Sequence, residues 1–543
     1  MLTLLVFLSS VVFTYQSHVS PVVRIKSGLL RGEVIESPAS ESNKIYYSFQ
    51  GIPYARPPIA RLRFQAPREA ESWTGIRDAY TYPTPCIQYE RGSEDCLYLN
   101  VYTTALPDKT YSTPRSVLVY IHGGAFIFGS PRRNVTGPEF FMDEDIILVS
   151  IQYRLSVFGF LNTQDEHTIG NLGLKDQVAA LKWVQKNIAN FGGDPSKVTI
   201  FGQSAGGAAV QYLLLSPLAK GLFHGAISDS GSTLNRWAFQ QHPRQMAFKL
   251  GSALGIYTND SADLVNALLQ VDARKLIDGA QILEEAYDNI GGGPFIPSIE
   301  HSVHPDTFLS ASTYETMTTG DYLRTVPYLT GYNEHEGNYV HWYCTVRMDN
   351  LTRCLNDPEL LVPKALNLKY GTNSAAQVTD EIVSRFYHNS SIDNAQYFED
   401  YTSDEYFVRG IRKSIELMRQ YSTVYAYKFM YLATNHTSPL ATGHGAELRY
   451  LFYIDGLETS TKDKLTRKRM VRMWSNFVKY GNPTPVSDPL LTNIRWPNIS
   501  SPHKTPFLVI DDDLSIVNNV DQDNYNFWET LFAKFGNPPY YIW

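Results

Sequence analysis

A serine flanked by glycines is the first feature of this sequence suited to chemistry. Ser204 lies in the segment Gly202–Gly206, which reads GQSAG and fits the pattern G-x-S-x-G. The apolar run Lys197–Phe201 precedes it, and Gly207–Leu215, a plausible helix, follows. A strand, a sharp turn and a helix would lift the hydroxyl clear of the backbone and direct N–H groups at developing negative charge. The segment predicts a nucleophile for acyl transfer; the alternative is a glycine-rich turn with an incidental serine.

A second glycine turn, His122–Ala125, is suited to stabilising the oxyanion that forms when a carbonyl is attacked. It follows the apolar run Ser116–Ile121, at a strand end upstream of the serine. We expect the backbone N–H groups of Gly124, Ala125 and Ala205 to form the oxyanion hole. The histidine that begins the turn has the chemistry of a base, but its position favours a structural role. The alternative for the whole segment is a simple glycine turn.

The elements that must position these groups are short strands that alternate with helices. Strands are predicted at seven apolar runs: Leu97–Tyr102, Ser116–Ile121, Ile146–Tyr153, Lys197–Phe201, Gly225–Ser228, Val326–Gly331 and Val424–Met430. Helical patterns are found at Asp176–Asn190 and in much of 240–286, 373–388 and 404–421, and residues 22–36 have the pattern of an antiparallel hairpin. This alternation predicts an α/β fold with a large, mostly parallel central sheet covered by helices on both faces.

Length and composition limit the class of protein. A chain of 543 residues suggests several domains or one unusually large one, but no linker separates the predicted elements. With 43% hydrophobic and 19% charged residues, the chain has ample material for a core and is not disordered. Its formal net charge is −7 and it has no long basic run, which argues against binding to nucleic acid.

The N-terminus predicts export. The apolar run Leu2–Phe13 is too short for a membrane-spanning helix, which needs about 20 apolar residues. We expect a signal peptide over residues 1–17, cleaved somewhere between Thr14 and Ser20; a buried N-terminal strand is the alternative. No later stretch is long enough to span a bilayer, and the C-terminus has no lipid-anchor or retention signal. We therefore expect a secreted protein without a transmembrane anchor.

The cysteines and sequons agree with export. Four cysteines form two close pairs, Cys86 with Cys96 and Cys344 with Cys354. Four cysteines allow three connectivities. Local pairing is favoured because each bond would close a loop of about ten residues, which stabilises the folded state by roughly 2.5–3 kcal/mol. Free thiols are the alternative, which an oxidising compartment disfavours. Six sequons are candidate glycosylation sites: Asn134, Asn259, Asn350, Asn389, Asn435 and Asn498.

The ordered motifs resemble those of the type-B carboxylesterases, the cholinesterase–carboxylesterase family of α/β-hydrolases, and most of all the secreted insect members. Besides the two glycine turns, the matching segments include Gly51–Ala55, Arg63–Phe64, Glu94–Leu97 and Asn171–Pro195, so the resemblance spans almost the whole mature chain. It implies a single α/β-hydrolase domain over residues 18–543, with the N-terminal hairpin and helical insertions. It implies no metal or organic cofactor.

The resemblance also implies a catalytic triad in the order Ser, Glu, His. The family pattern places the acid immediately before a glycine, which selects Glu336 and leaves Glu334 and His335 as neighbours on the same loop. His444 matches the family's His-Gly-x-Glu and is the implied base; Ala441 departs from the glycine usual in relatives. The implied reaction is hydrolysis of carboxylic esters through an acyl-serine intermediate.

The resemblance narrows the substrate only in part. In cholinesterases a long disulfide loop carries the tryptophan that binds a quaternary ammonium, and an acid precedes the nucleophile. Here nine residues without a tryptophan separate Cys86 from Cys96, and Gln203 precedes the serine, so we expect small neutral esters. Phe295 resembles the acyl-pocket segment of the family, with an ordinary core role as the alternative. Juvenile-hormone, odorant or pheromone esterases are narrower roles left open, and a non-catalytic neuroligin-like binding protein is the remote alternative.

Overall fold

The structure, a computed structural model, describes most of the chain. The described residues are 20–39, 44–107, 113–286, 293–301, 306–321, 325–343, 357–388, 395–433, 442–455, 457 and 460–543. Several predictions made above lie outside them: the signal peptide, the pair Cys344 and Cys354, and the sequons at Asn350, Asn389 and Asn435. These stay predictions.

Sixteen strands occur in the described part of the chain. They are β1 Val22–Ile25, β2 Gly28–Arg31, β3 Glu33–Glu36, β4 Ile45–Pro53, β5 Ile76–Asp78, β6 Tyr98–Thr103, β7 Arg115–Ile121, β8 Ile147–Ile151, β9 Asn162–Asp165, β10 Thr168–Ile169, β11 Gly193–Gln203, β12 Gly225–Asp229, β13 Tyr328–Asn333, β14 Val424–Phe429, β15 Pro506–Ile510 and β16 Leu514–Asn518. Eleven of them form one sheet in the order β16-β15-β14-β13-β12-β11-β7-β8-β6-β4-β3. The central seven, from β15 to β8, are mutually parallel, and the outer strands are antiparallel.

Helices connect and cover these strands. The described α-helices are α1 Glu139–Asp143, α2 Ser156–Phe160, α3 Leu172–Asn187, α4 Ala205–Leu215, α5 Pro243–Ala253, α6 Ser261–Gln270, α7 Ala273–Ala286, α8 Thr313–Thr319, α9 Gly337–Tyr343, α10 Asn373–Tyr387, α11 Ala395–Ser403, α12 Arg409–Met418, α13 Thr461–Tyr480 and α14 Gln522–Phe535. A π-helical turn, Asp404–Val408, joins α11 to α12. Among the helices of the described ranges, none combines the length and apolar composition needed to cross a bilayer.

The strand β7 shows why the central strands have continuous apolar sequences. Its side chains alternate between two buried clusters: Val117, Val119 and Ile121 belong to the larger, and Leu118 and Tyr120 to the smaller. Both faces of the sheet are therefore covered, so both alternate sets of side chains are apolar from Val117 onward. This burial produces the apolar runs from which the strands were predicted.

The observed architecture confirms the predicted fold class. Each of the seven predicted strands is present, with ends shifted by a few residues, and β1 pairs antiparallel with β2 as the hairpin pattern indicates. The third part of that pattern, β3, instead joins the edge of the large sheet through β4. The antiparallel β15–β16 pair, which closes the other edge, was not predicted.

One predicted disulfide and three of the sequons lie in the described part of the chain. Cys86 and Cys96 form a disulfide, as local pairing predicts. Asn134, Asn259 and Asn498 are exposed, which leaves them open to modification, although glycosylation itself stays a prediction.

Candidate active site

Ser204 lies in a strained turn between β11 and α4. Its backbone has φ 59° and ψ −125°, a conformation that non-glycine residues rarely adopt. The turn needs glycine on both sides, because a Cβ on Gly202 would lie 2.1 Å from the carbonyl oxygen of Gly206, and one on Gly206 would lie 2.1 Å from that of Ile121. The obstacles are backbone atoms, which cannot move aside as a flexible side chain can. The structure thus forms the strand–turn–helix arrangement expected of a nucleophile elbow.

The turn after β7 presents backbone N–H groups near this elbow. Gly124 and Ala125 have φ of 106° and 53°, and Gly124 leaves no room for a Cβ, which would meet the carbonyl oxygen of Phe128 at 2.0 Å. Within the described residues, neither of their N–H groups has a hydrogen-bond acceptor. Ala205 is the first residue of α4, so its N–H also has no acceptor inside the helix. Three unsatisfied donors therefore lie on the two turns predicted to form the oxyanion hole.

The acidic residue before Gly337 is fully buried and bonded to the predicted base. Nδ1 of His444 donates to Oε2 of Glu336 at 2.6 Å. The two loops are also joined by their backbones, since His335 N–H donates to the carbonyl of Thr442 and pairs as a bridge with Gly443. The structure thus brings Glu336 and His444 together.

The neighbouring residues on the acid loop have other partners. Glu334 forms an ion pair with Lys428 at 2.5 Å, and His335 forms one with Glu399 at 3.1 Å, which raises the pKa of His335. Neither approaches the imidazole of His444 as Glu336 does.

Gln203 places the serine turn next to the same imidazole. Its Nε2 lies 3.3 Å from Nε2 of His444. An amide NH₂ group can donate to Nε2 only when that ring nitrogen has no proton. This is the case in the tautomer whose Nδ1–H donates to a carboxylate. The histidine therefore presents a basic nitrogen at the turn that carries Ser204.

His122, the other histidine considered, is held away from this chemistry. It is buried, its Nδ1 lies 2.8 Å from the carbonyl oxygen of Gly123, and its ring stacks on Tyr153 at 4.5 Å. Burial lowers the pKa of His122 to about 4, so the ring is neutral at pH 7. Its contacts fit the structural role expected from its position.

Aromatic side chains surround the base. The ring of Phe407 lies 4.6 Å from that of His444, and Tyr339 lies 5.4 Å from it. Phe407 belongs to the π-helical turn, and side-chain N–H groups of Asn235 and Trp237 donate to its carbonyl and to that of Tyr406. Such turns occur often at functional sites. Phe295, the other aromatic residue considered, is buried in the larger core cluster.

Comparison with known proteins agrees with this geometry. The model of the Carboxylesterase family matches residues 19–528. The juvenile hormone esterase of Tribolium castaneum is 34% identical over 523 residues, covering 88% of this chain and 86% of that protein. Venom carboxylesterase-6 of Apis mellifera is 31% identical, with 97% of each chain covered.

The chain belongs to the carboxylesterase family.

A solved structure supports the fold of this carboxylesterase. The crystal structure of juvenile hormone esterase from Manduca sexta, with OTFP covalently attached, superposes with a TM-score of 0.84 at 28% identity. The match covers 95% of this chain and all of that one. The enzyme therefore has the α/β-hydrolase fold, and its homologues in the family are carboxylic ester hydrolases.

Sequence reasoning missed one residue of this carboxylesterase that directly contacts Glu336, the predicted acid. Oε1 of Glu336 accepts a hydrogen bond from Ser230 Oγ at 2.5 Å and another from the backbone N–H of Asn333 at 2.7 Å. Ser230 is itself fully buried. The position of Ser230 directly after the predicted strand β12 could have indicated this contact, because the carboxyl ends of adjacent parallel strands meet at one edge of a sheet.

Two further buried carboxyl groups lie close to Glu336. Burial and the charge of Glu336 raise the pKa of Glu447 to about 7, and burial together with Glu447 raises the pKa of Asp229 well above its ordinary value. Asn333 Nδ2 donates to Glu447 and to the carbonyl of Gly443. Both shifts favour the protonated, neutral form of these carboxyl groups, which reduces the negative charge buried beside Glu336.

Proposed function

We propose that this protein is a secreted serine carboxylesterase that hydrolyses neutral carboxylic esters, with Ser204 as nucleophile, His444 as base and Glu336 as its orienting acid. The observation that carries the proposal is the 2.6 Å bond from Nδ1 of His444 to the buried Glu336, on loops that reach the turn of Ser204. This arrangement supplies a nucleophile, a base and an orienting group, the three parts that acyl transfer requires.

The reaction follows from these positions. Nε2 of His444 takes the proton of Ser204 as its oxygen attacks the ester carbonyl, and Glu336 stabilises the resulting imidazolium through Nδ1. The imidazolium then protonates the leaving alcohol, which departs from the acyl-serine. Water attacks the acyl group while His444 takes its proton, and the acid is released as Ser204 regains a proton.

The two glycine turns stabilise the charge that develops on the carbonyl oxygen. The unsatisfied N–H groups of Gly124, Ala125 and Ala205 would donate to it in the tetrahedral intermediate. Because these donors are backbone groups fixed by the turns, little reorganisation accompanies the reaction, and each typically contributes about 2.7–4 kcal/mol to the transition state.

The surroundings of the base favour a neutral substrate. Gln203, which lies beside His444, is an uncharged amide. The short loop closed by the Cys86–Cys96 disulfide has no tryptophan to receive a quaternary ammonium. Similarity to the juvenile hormone esterases of Tribolium castaneum and Manduca sexta supports juvenile hormone as one candidate among neutral esters.

The proposal of secretion rests on the expected signal peptide and is supported by the Cys86–Cys96 disulfide, because disulfides persist chiefly in oxidising compartments.

Labelling with an organophosphate tests the nucleophile. One equivalent should attach to Ser204, detected by peptide mass spectrometry, with loss of hydrolysis of a short aryl ester. Ser204→Ala should neither label nor turn over. A label on Ser230, or activity that survives Ser204→Ala, would contradict the assignment, and absence of turnover in folded wild-type protein would favour the binding-protein alternative.

Paired substrates test the preference for neutral esters. We expect kcat/KM for butyrylthiocholine to be about a hundredfold below that for a neutral thioester of the same acyl length, since loss of a cation–π contact and a nearby charge amounts to roughly 3 kcal/mol. Equal values would show a cation site that the described residues do not reveal. Juvenile hormone belongs in the same panel, and a kcat/KM no better than that of simple aryl esters would count against it as the physiological substrate.

A further inference from the structure

One face of helix α3 lines a cleft that contains none of the proposed catalytic residues. The lining positions on this helix include Lys175, Val178, Lys182, Trp183 and Lys186. Lys175, Val178, Lys182 and Lys186 follow one another at intervals of three or four residues, which places them on one face, and Trp183 borders that face. The stripe therefore combines three lysines with an apolar wall formed by Val178 and the Trp183 indole.

The opposite wall comes from the N-terminal part of the chain. Lys26 of the turn between β1 and β2 lies there, together with the segment 66–70. The volume of the cleft is about 190 Å³, room for about six water volumes. It is thus large enough for a small organic molecule and partly apolar.

The cleft is cationic although the chain as a whole carries a charge of −7. Four lysines line it against two carboxylates, Glu69 and Asp306. Glu69 alone accepts from two of these lysines, Lys26 at 3.2 Å and Lys186 at 2.9 Å. Lys182 is exposed and forms no ion pair with any residue that the structure describes. Because Glu300 pairs with Lys175, the four lysines face three carboxylates, and the cleft keeps an excess of one positive charge.

A buried ammonium group also lines the cleft. Lys175 is only 4% exposed, and its Nζ donates to Oε2 of Glu300 at 2.8 Å. An ammonium group has three donors, and within the described part of the chain Glu300 is the one side-chain acceptor that Lys175 bonds. Lys175 is thus a wall residue whose charge Glu300 already balances, and the exposed Lys182 is the lysine left to meet an anion.

We propose that this cleft binds small organic carboxylates, with the carboxylate held by Lys182 and its neighbours and the apolar part against Val178 and Trp183. Lysines supply charge for an anion, and the apolar wall favours a carboxylate with a hydrocarbon tail over a bare inorganic anion. The acid released by ester hydrolysis belongs to this class of ligand, so the site is connected with the proposed function without depending on it.

Hexanoate titration of the active-site-blocked enzyme tests the proposal. The full-length protein is first labelled with an organophosphate and the label confirmed by mass spectrometry, which removes the triad as a competing site and tests the nucleophile separately. Ligand-observed NMR should show saturable binding of hexanoate and none of hexanol, which has the same tail without the charge.

Variants then locate the binding. Lys182→Glu should weaken hexanoate binding at least fivefold, and Glu69→Gln, which removes a competing carboxylate, should strengthen it two- to fivefold. Lys249→Glu, at an exposed lysine of α5, is the matched control and should leave the affinity unchanged. Absence of saturable binding, equal effects of Lys182→Glu and Lys249→Glu, or binding of inorganic phosphate in preference to hexanoate would each overturn the proposal.

Discussion

Replacing Glu336 by glutamine should place the wrong tautomer on His444, the proposed base. Oε1 of Glu336 accepts from two donors, and one of them, the backbone N–H of Asn333, cannot act as an acceptor. The amide oxygen of the substituted side chain would therefore take this position, and its NH₂ group would face Nδ1 of His444. Nδ1 would then have to accept a hydrogen bond, so the proton would move to Nε2, the atom that must receive the proton of Ser204.

The expected loss is large because both the tautomer and the counter-charge are affected. The corresponding acid-to-amide change in serine proteases lowers kcat about ten-thousandfold, which equals roughly 5.4 kcal/mol of transition-state stabilisation. We expect a similar fall in kcat for Glu336→Gln on a short aryl ester, a parallel fall in the rate of organophosphate labelling, and a nearly unchanged melting temperature.

Glu334→Gln is the matched control, because it makes the same chemical change two residues earlier on the same loop. Its partner is Lys428, which also contacts Asp521, and the Glu334 side chain is partly exposed. We expect kcat to stay within about twofold of the wild type. If Glu336→Gln retained more than a few per cent of the activity, or if the two variants exchanged behaviour, the proposed orientation of the imidazole would be wrong.

Three further outcomes are expected from the packing around the site. Gly202→Ala should prevent folding or strongly lower the melting temperature, because its Cβ would lie 2.1 Å from a backbone carbonyl oxygen; an increase in melting temperature would contradict this. Asp176→Asn should lower the free energy of unfolding by about 3–5 kcal/mol, since it leaves the buried guanidinium of Arg154 without its counter-charge. Asp78→Asn, at an exposed ion pair, is the control and should lower it by at most about 1 kcal/mol, with both measured by denaturant unfolding. The raised pKa of Glu447 means that the folded state binds its proton more tightly than the unfolded state does. Its contribution to the free energy of unfolding should therefore decline as pH rises from about 4.5 to about 7. Over this range the melting temperature of Glu447→Gln should fall less steeply than that of the wild type, and identical slopes would refute the assignment.

The parts of the molecule that sequence predicts well are those determined by neighbouring residues. The turn at Ser204 follows from the glycines within two positions of it and from the apolar strand before it. The central strands follow from their burial on both faces, which produces continuous apolar runs. These signals lie within about ten residues, so no knowledge of the tertiary structure is needed to detect them.

Other features depend on strand order and register, which local sequence does not contain. Ser230 approaches Glu336 only because β12 lies beside β13, and Gln203 reaches His444 across 241 positions. Glu334 and Glu336 are equivalent by residue type, and the resemblance, not the spacing, selected between them. Their burial and partners in the folded chain provide the physical distinction.

The order of the strands also has a consequence during synthesis of the protein. The residues after β11, β12, β13 and β14, four neighbouring strands, supply Ser204, Ser230, Glu336 and His444 in the order in which the ribosome makes them. His444 follows Ser204 by 240 residues, which at about 5–20 residues per second corresponds to roughly 12–48 s of elongation. With Ser204 and His444 in the proposed roles, the nascent chain has its nucleophile but not its base throughout that time, so we expect it to hydrolyse no esters. We expect activity to begin only after the loop that carries His444 has joined the other three, and an esterase assay on stalled nascent chains would time that event.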